Sequence, residues 1–364
     1  MSQGKLRVGI VFGGRSTEHE ISILSARNIL AALDRSRYEP VLIGIDKSGR
    51  WLVQDPARLL ASARDPRLVQ IETGEAAKML APGFAPDAAA APLDVVFPVL
   101  HGTLGEDGAI QGLLEVAGIP YVGAGILGSA IGMDKDVTKR LLREAAIAVA
   151  DFRTVRRVAF EADPRGAVRE LAVLGFPVFI KPANAGSSVG IRKVSGSEEL
   201  AAAIRHAFSF DSKVIVEAAV TARELELAVL GGEPPTVSVA GEIVVRHPDG
   251  FYSYDAKYLD PEGARLDVPA DVAPALMAAA QALALRVFAV LECEGMARVD
   301  LFLTAAGRLL VNEINTIPGF TAISMYPRLW AHSGVSSAEL VSRLIELALR
   351  RARERGALQR SVTT

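Results

Sequence analysis

Three oxygen-bearing side chains near the end of the sequence have the types and spacing of ligands for a divalent cation. Asp300 lies within an apolar run, residues 299–303, and Glu313 and Asn315 are two apart near the end of a second run, residues 308–314. Side chains two apart on a strand point to the same face, and the segment between the runs contains a glycine, which is typical of a hairpin turn. Carboxylate and amide oxygens suit Mg²⁺. The pattern predicts a metal site on a β-hairpin; the alternative is a surface ion pair between Asp300 and a neighbouring arginine.

A lysine at the end of another apolar run precedes a loop that is rich in glycine and serine. Lys181 ends the run 176–180, and the following loop reads PANAGSSVG and contains Ser187 and Ser188. A lysine at the end of a buried strand needs an anion, and N–H groups of such a loop can bind phosphate oxygens. The spacing matches neither G-x-x-x-x-G-K-[ST] nor G-x-G-x-x-G. We therefore predict a hairpin that covers a nucleotide.

Two acids further along the chain have the surroundings that a nucleoside requires. Glu217 ends a predicted strand, residues 213–217, and precedes the apolar segment 218–220, while Glu224 follows across a turn. Adenine needs an apolar slot with polar backbone at its edge, and an acid can accept hydrogen bonds from its amino group or from ribose hydroxyls. As isolated acids, the two would more often be solvated.

Two loops in the first third of the chain follow predicted strands directly. GGRSTEHE follows a strand at residues 6–12 and places Glu18 at the start of a helix, and HGTLGEDG follows a strand at residues 95–100 and begins with His101. Ligands of open α/β sheets bind at the carboxyl ends of the strands. Glu18 near a helix N-terminus should stay ionised and could hold a substrate ammonium, and His101 could orient Glu18 or a substrate carboxylate. The alternatives are a helix-capping acid and a histidine bonded to backbone.

A polar and aromatic loop at about residues 246–263 contains four aromatic residues, two prolines and two glycines. This composition is typical of a functional loop, so we predict a lid over the site. Lys257 and Tyr258 are its candidates to reach the ligands.

The composition indicates a compact protein of two or three domains, because 364 residues exceed one core of ordinary size and half of them are hydrophobic. A net charge of −2 gives no electrostatic footprint for nucleic acid or an anionic membrane. The apolar segment 274–291 contains Gln281 and Arg286, which favours a buried amphipathic helix capped by Asp271 over a membrane span. The single cysteine, Cys293, and the lack of a signal peptide predict a cytoplasmic protein.

The order of elements predicts an α/β fold of three domains. Residues 1–133 read as a doubly wound parallel-sheet domain that closes with a short strand at 119–122. Residues 134–224 read as a central α+β domain, which begins with a charged helix from Lys135. Residues 225–364 read as a strand-rich domain with strands at 225–230, 235–240 and 242–246, followed by the metal hairpin and a terminal helix at 337–353.

Seven motifs in this order resemble one family, the D-alanine–D-alanine ligases of bacterial cell-wall synthesis, within the ATP-grasp superfamily. They are GGRSTEHEIS, HGTLGEDG, MDK, IKPANAGSSVG, YDAKYLD, ARVD and NEINTIPGFT. The resemblance covers about residues 7–348. It implies an ATP-grasp fold in which ATP lies between two antiparallel sheets, one in the central domain and one in the C-terminal domain.

The resemblance also implies the roles of individual residues. Two Mg²⁺ or Mn²⁺ ions are held by Asp300, Glu313 and Asn315. The first D-alanine is bound by Glu18, which is tied to Ser187 and Tyr258. The expected ATP contacts are Lys135, Lys181, Ser188, Glu217, Ala218, Ala219, Val220, Glu224, Lys257, Asn312 and Glu313. The other expected catalytic and substrate-binding residues are Arg298, Gly319, His101, Lys257, Ser324 and Met325.

The implied reaction is the ATP-dependent joining of two D-alanines for peptidoglycan synthesis, in a protein that relatives suggest is a homodimer. One carboxylate takes the γ-phosphate to give an acyl phosphate, and the amine of the second D-alanine then attacks it. Ligation of D-alanine to D-lactate or D-serine, a nucleotide-binding regulator without turnover, and another ATP-grasp reaction such as carboxylation remain the alternatives.

Overall fold

The computed structural model describes residues 4–62, 65–71, 92–246 and 262–359, and the strands in these ranges form three sheets. Each sheet brings a different group of predicted site residues to a common cavity. The predicted lid residues Lys257 and Tyr258 lie outside the described residues.

The N-terminal sheet has the strand order β3-β2-β1-β4. The apolar centre of β1 is buried on both faces, as expected for a parallel strand covered by helices. The first strand is parallel to β2 and β4, whereas the edge strand β3 is antiparallel, so the predicted parallel sheet is in fact mixed. The predicted short strand at 119–122 is reduced to one parallel bridge between Tyr121 and Val96. The strands are β1 Leu6–Gly13, β2 Tyr38–Ile45, β3 Trp51–Gln54 and β4 Val95–Pro98. The helices are α1 His19–Ala32, α2 Pro56–Ala61, α3 Ala109–Val116 and α4 Ile126–Met133.

The central sheet is antiparallel throughout, with the order β5-β8-β6-β7. The predicted hairpin around the glycine- and serine-rich loop is present, because β6 and β7 pair and the loop joins them. The first strand of this sheet, Phe152–Arg156, is followed directly by a helix. The strands are β5 Phe152–Arg156, β6 Val178–Pro182, β7 Arg192–Val194 and β8 Lys213–Ala218. The helices are α5 Lys135–Glu144, α6 Arg157–Ala162, α7 Pro164–Leu171 and α8 Ser197–Ala207.

The C-terminal sheet is also antiparallel, with the order β11-β10-β9-β12-β13. The hairpin predicted to carry the metal ligands is present as the pair β12–β13, and its binding of a metal stays a prediction. The strands are β9 Ala222–Leu230, β10 Thr236–Val245, β11 Ala264–Asp267, β12 Met296–Thr304 and β13 Leu309–Asn315. The helices are α9 Pro274–Val290, α10 Met325–His332 and α11 Ser337–Gly356.

One strand prediction and one helix-cap prediction for the C-terminal part of the chain were wrong, each for an identifiable reason. The strands expected at 235–240 and 242–246 are one strand, β10, because Gly241 serves close packing and not a turn: a Cβ there would lie 2.8 Å from the sulfur of Met325. Asp271 does not cap the following helix, which starts at Pro274 with Ala273 in the capping position. Proline suits the first helical position, since its missing N–H would have no partner there.

The N-terminal and C-terminal sheets share one hydrophobic core, which contains Val8 and Phe97 together with Met296, Tyr326 and Leu344. The central sheet packs with its own helices around a separate core. No helix among the described residues is both long and apolar enough to span a membrane. The three sheets fall within the three predicted domain ranges except for the first residues of β9, and the boundaries themselves stay a prediction.

Candidate active site

One cavity of about 450 Å³ lies where the three sheets meet. Its volume falls in the range of small-molecule sites. It is lined by every predicted site residue that the structure describes: Glu18, His101, Lys135, Lys181, Ser187, Ser188, Glu217, Ala218, Ala219, Val220, Glu224, Arg298, Asp300, Asn312, Glu313, Asn315, Gly319, Ser324 and Met325. Residues far apart in the sequence are thus brought together as predicted.

The predicted metal ligands converge on the β12–β13 hairpin. Asp300 lies directly opposite Glu313, and Nδ2 of Asn315 donates to Oδ2 of Asp300 over 3.0 Å. The register shifts just after Asp300, at a bulge between the two strands. The hairpin therefore presents two carboxylates and one amide to a single region of the cavity.

The alternative ion pair between Asp300 and Arg298 is present in the structure, but it is largely buried and does not lie at the surface. Nε and Nη2 of Arg298 donate to the two carboxylate oxygens of Asp300, each over 2.7 Å, and Glu226 lies 3.1 Å from Arg298. Although burial alone would lower the pKa of Arg298, Asp300 and Glu226 raise it well above its usual value. Arg298 is therefore a permanently charged group inside the cavity.

The donor set fits a hard divalent cation. No group of three or more His, Cys, Asp or Glu side chains in the described ranges is arranged to hold a metal. A cation at this hairpin would therefore need the amide oxygen of Asn315 and oxygens from a bound substrate beside the two carboxylates, which is how Mg²⁺ binds with phosphates. The hairpin therefore offers the oxygen ligands for one part of a coordination shell, and substrate oxygens would complete it.

Glu217 is held between two lysines in the interior. Its Oε1 lies 2.6 Å from Nζ of Lys181, and its Oε2 lies 2.6 Å from Nζ of Lys139. Burial alone would raise the pKa of Glu217, but the two ammonium groups lower it to about 2. The carboxylate of Glu217 therefore pairs with two lysines in this structure. The sequence predicted a contact with a nucleoside instead, either with the adenine amino group or with ribose hydroxyls.

Sequence reasoning missed Lys139. The signal was present, since Lys135 and Lys139 are four residues apart and therefore lie on the same face of α5. In a charged amphipathic helix, however, two lysines at this spacing are expected on the face that is exposed to solvent. Only the fold shows that Lys139 is almost fully buried.

Lys135 links the glycine- and serine-rich loop to the metal hairpin. Its Nζ donates to the carbonyl oxygen of Ala185 over 2.7 Å and lies 3.7 Å from Oε2 of Glu313. Asp134 caps the helix that carries it by accepting hydrogen bonds from the first backbone N–H groups. The lysine therefore points from a fixed helix start toward the cavity.

Glu18 and Ser187 meet across the cavity. The hydroxyl of Ser187 donates to Oε1 of Glu18, although the two residues are 169 positions apart. Glu18 occupies the capping position of α1, but its side chain makes no capping hydrogen bond, so the capping interpretation is wrong. Gly102 leaves room for the carboxylate, because a Cβ there would lie 2.8 Å from its Oε2. Glu18 is thus held by the loop of the central sheet.

His101 contacts neighbours other than Glu18. Its Nε2 lies 3.0 Å from Oγ of Ser25, and its Nδ1 lies 3.1 Å from the carbonyl oxygen of Ile317. Burial lowers the pKa of His101 to about 4, so the ring is neutral at pH 7. The alternative prediction, a histidine that is hydrogen-bonded to backbone, is therefore confirmed by the contact with Ile317.

Glu106 is a second cavity residue that the sequence analysis missed. It accepts hydrogen bonds from the N–H of Gly102 over 2.8 Å and from the N–H of Ile317 over 3.2 Å. Burial and the nearby Glu18 carboxylate raise its pKa. Its position in the HGTLGEDG loop, five residues after His101, was the available signal.

Gly319 and Ser324 lie together at the far end of the cavity. A Cβ on Gly319 would lie 2.8 Å from Oγ of Ser324, so glycine permits this approach. Oγ of Ser324 accepts from the N–H of Thr321 over 2.9 Å, and Ser324 precedes the first residue of α10, Met325. A hydroxyl and a helix N-terminus here favour an anionic group.

Comparisons with known proteins agree over nearly the whole chain. Family models described as the D-ala D-ala ligase N-terminus and C-terminus match residues 7–124 and 141–346. The chain is 52% identical to D-alanine–D-alanine ligase A of Chromobacterium violaceum, covering 98% of this chain and 99% of that protein. It is 49% identical to D-alanine–D-alanine ligase A of Escherichia coli K12, with the same two coverages.

Solved structures show the same fold. The D-alanine–D-alanine ligase from Coxiella burnetii matches with a TM-score of 0.83 at 38% identity, covering 97% of each chain. The VanG D-Ala:D-Ser ligase from Enterococcus faecalis matches with a TM-score of 0.82 at 35% identity, covering 95% of this chain and all of that one. With its cavity, its hairpin and its sequence all in agreement, this chain belongs to the D-alanine–D-alanine ligase family, a family of ATP-dependent enzymes with the ATP-grasp fold.

Proposed function

We propose that this protein joins two D-alanine molecules to D-alanyl-D-alanine, with ATP converted to ADP and phosphate. One observation supports the proposal: Glu18, a carboxylate suited to an ammonium, and the hairpin with the proposed metal ligand Asp300 line the same cavity. Ligation requires that the carboxylate of one amino acid is activated by ATP and that the amine of a second amino acid reaches it. Both steps have to take place in the same cavity. The family membership of the chain supports the same reaction.

The triphosphate would lie between the central and C-terminal sheets. Lys135 and Lys181 would neutralise its charge, and the loop containing Ser188 would offer N–H groups to its oxygens. Since Glu217 already pairs with Lys181 and Lys139, it would hold Lys181 in place while the backbone of residues 218–220 contacts adenine. Glu224 and Asn312 line the cavity and are the remaining proposed nucleotide contacts, with Lys257.

Asp300, Glu313 and Asn315 would hold two divalent cations, Mg²⁺ or Mn²⁺. Such cations neutralise the charge that develops on transferred phosphoryl oxygens. Arg298 would add a fixed positive charge beside them.

The first D-alanine would be bound through its ammonium by Glu18, with Ser187 and Tyr258 fixing the carboxylate of Glu18. Its own carboxylate would then attack the γ-phosphorus in line, giving an acyl phosphate and ADP. Positioning of the two reactants supplies much of the rate enhancement in such a step.

The amine of the second D-alanine would attack the acyl carbon, and the C–O bond to phosphate would break. Arg298 and the N–H of Gly319 are the proposed donors to the tetrahedral oxyanion. Ser324 and Met325 would receive the carboxylate of the second D-alanine, and His101 would stay neutral beside the site. The loop at 246–263 would exclude water from the acyl phosphate.

The experiment is a phosphate-release assay on the purified protein with ATP, Mg²⁺ and D-alanine, with the product identified by mass. We expect phosphate release with D-alanine alone and a dipeptide as the product. Release only after D-lactate is added, or only with bicarbonate, would contradict the proposal. Asp300→Ala should abolish turnover, whereas Asp267→Ala, a carboxylate lost from the edge of the same sheet, should not.

A second candidate is ligation of D-alanine to D-serine, which is favoured by the similarity to the VanG D-Ala:D-Ser ligase structure. Competition between D-alanine and D-serine in the same assay separates the two, since a D-serine ligase should yield the mixed dipeptide preferentially. Assembly as a homodimer stays a prediction, which light scattering of the purified protein would test.

A further inference from the structure

Four side chains, two on α1 and two in the loop between β4 and α3, bind the backbone on both sides of Pro318 and Gly319. Together they engage the N–H and the carbonyl oxygen of Ile317 and the N–H and the carbonyl oxygen of Phe320. These contacts are Glu106 Oε1 with Ile317 N at 3.2 Å, His101 Nδ1 with Ile317 O at 3.1 Å, Ser25 Oγ with Phe320 N at 3.2 Å, and Asn28 Nδ2 with Phe320 O at 2.9 Å.

The atoms in these contacts determine which group donates and which group accepts in each hydrogen bond. Because His101 faces a carbonyl oxygen through Nδ1, that nitrogen carries the proton, and Nε2 accepts from the hydroxyl of Ser25. The oxygen of Ser25 can then accept the N–H of Phe320. The contacts therefore form one consistent network that needs a neutral imidazole.

The Phe320 side chain reinforces this attachment. Its ring packs edge-on against Phe97 of β4, with 6.0 Å between the ring centroids, and against Tyr326 at 5.6 Å. The backbone groups of Ile317 and Phe320 are therefore held by hydrogen bonds, and the loop is also packed onto the N-terminal core. Between these two residues the chain offers a single N–H, that of Gly319, since proline has none.

Ser25 and Asn28 lie three residues apart on α1, which places them on one face of the helix that begins directly after Glu18. The helix that presents Glu18 to the cavity thus also holds the loop that carries Gly319. Ser25, His101 and Glu106 are all buried, so these contacts are protected from water.

We propose that Ser25, Asn28, His101 and Glu106 are positioning residues that aim the Gly319 N–H at the oxygen that becomes the oxyanion, and that α1 thereby sets the distance between the first D-alanine and the oxyanion donor. This inference rests on the proposed function of Gly319. A displacement of a donor by about 1 Å can lower a rate on the order of 100-fold. Loss of one of four contacts should act mainly on the second step.

Asn28→Ala tests the inference, because Asn28 is only partly buried and its loss leaves no buried charge. The first step is measured by positional isotope exchange in ATP labelled at the β,γ-bridging oxygen, and the second by dipeptide formation. We expect dipeptide formation to fall roughly tenfold or more, with isotope exchange retained, so that the ratio of exchange to dipeptide rises. Asn28→Gln, which keeps the amide donor, should recover part of the loss.

Arg27→Ala is the matched control. Arg27 is the neighbouring residue on α1, and it also donates to a backbone carbonyl, that of Leu60, over 3.1 and 3.0 Å, away from the Gly319 loop. It should leave the ratio unchanged. Ser25→Ala and Glu106→Gln, which each remove one acceptor, should repeat the effect of Asn28→Ala.

Each outcome is decisive. If Asn28→Ala and Ser25→Ala lower both steps equally, or neither step, the positioning role is wrong while the proposed function stands. If the unmodified protein shows no isotope exchange that depends on D-alanine, the proposed function is wrong, and the positioning role is overturned with it.

Discussion

Oε2 of Glu217 lies 2.6 Å from Nζ of Lys139, and both side chains are almost completely buried. Lys181 occupies the other carboxylate oxygen at the same distance. Three charges with one excess positive charge are thus enclosed beside the proposed triphosphate site.

Glu217→Gln should strongly destabilise the protein, since it leaves two buried ammonium groups without their common anion. The expected loss is about 3–5 kcal/mol in the free energy of unfolding, measured by denaturant titration. The double variant Glu217→Gln with Lys139→Met should recover part of it, because one of the unpaired charges is removed. A loss below about 1 kcal/mol for the single variant would contradict this account of the cluster.

Asp300→Asn should lower turnover by at least roughly 100-fold, the scale of one lost contact to a transition state. The change keeps the shape of the side chain but removes a ligand charge and the ion pair to Arg298. The Mg²⁺ concentration for half-maximal phosphate release should also rise. Asp267→Asn applies the same change to an acid on the edge of the same sheet, where it pairs with Arg265, and should alter neither quantity. Equal behaviour of the two variants would rule out the metal site.

Ser187→Ala and Ser188→Ala should each raise a different one of the two Michaelis constants. Ser187 donates to Glu18, so its loss should raise KM for D-alanine about tenfold, the scale of a hydrogen bond to a charged group, with KM for ATP unchanged. Ser188 is proposed to contact phosphate, so its loss should raise KM for ATP and leave KM for D-alanine unchanged. Steady-state kinetics with each substrate varied in turn would measure both. A parallel rise of both constants in either variant would contradict the assigned contacts.

His101 should make stability depend on pH between about 4 and 6.5. Burial lowers the pKa of His101 to about 4, below the ordinary value of 6.5. The unfolded chain therefore binds the proton first, and stability falls as pH drops through this window, by about 2 kcal/mol between pH 7 and pH 5. Denaturant titrations of the unmodified protein and His101→Gln at both pH values measure the difference. Identical pH dependence in the two proteins would show that folding does not lower the pKa of His101.

The β12–β13 hairpin and the closeness of its three polar side chains could be predicted because their signal is local. Alternation of side chains along a strand places Glu313 and Asn315 on one face, and the acid within the run at Asp300 is conspicuous against apolar neighbours. The hairpin turn then brings the two runs together without any information from the rest of the chain.

The partners of the cavity residues could not be predicted in the same way. Glu106 and Ile317 are 211 positions apart, and their hydrogen bond exists only because the N-terminal and C-terminal sheets share a core. Lys139 looked like one more charge on a helix surface, and Glu217 looked solvated, since neither residue type reveals burial. The family resemblance supplied many of the expected roles, but it did not name Lys139 or Glu106.

The separate core of the central sheet has a consequence for how ligands enter. This sheet is joined to the rest of the chain through the segments 145–151 and 219–221, and its loop reaches the N-terminal part through the contact of Ser187 with Glu18. Ion pairs with little exposure to water also tie the sheet to α5, since Glu217 pairs with Lys139 and Lys213 pairs with Asp134. We therefore expect ligand entry to leave the sheet and α5 together, because their separation would leave buried charges without partners.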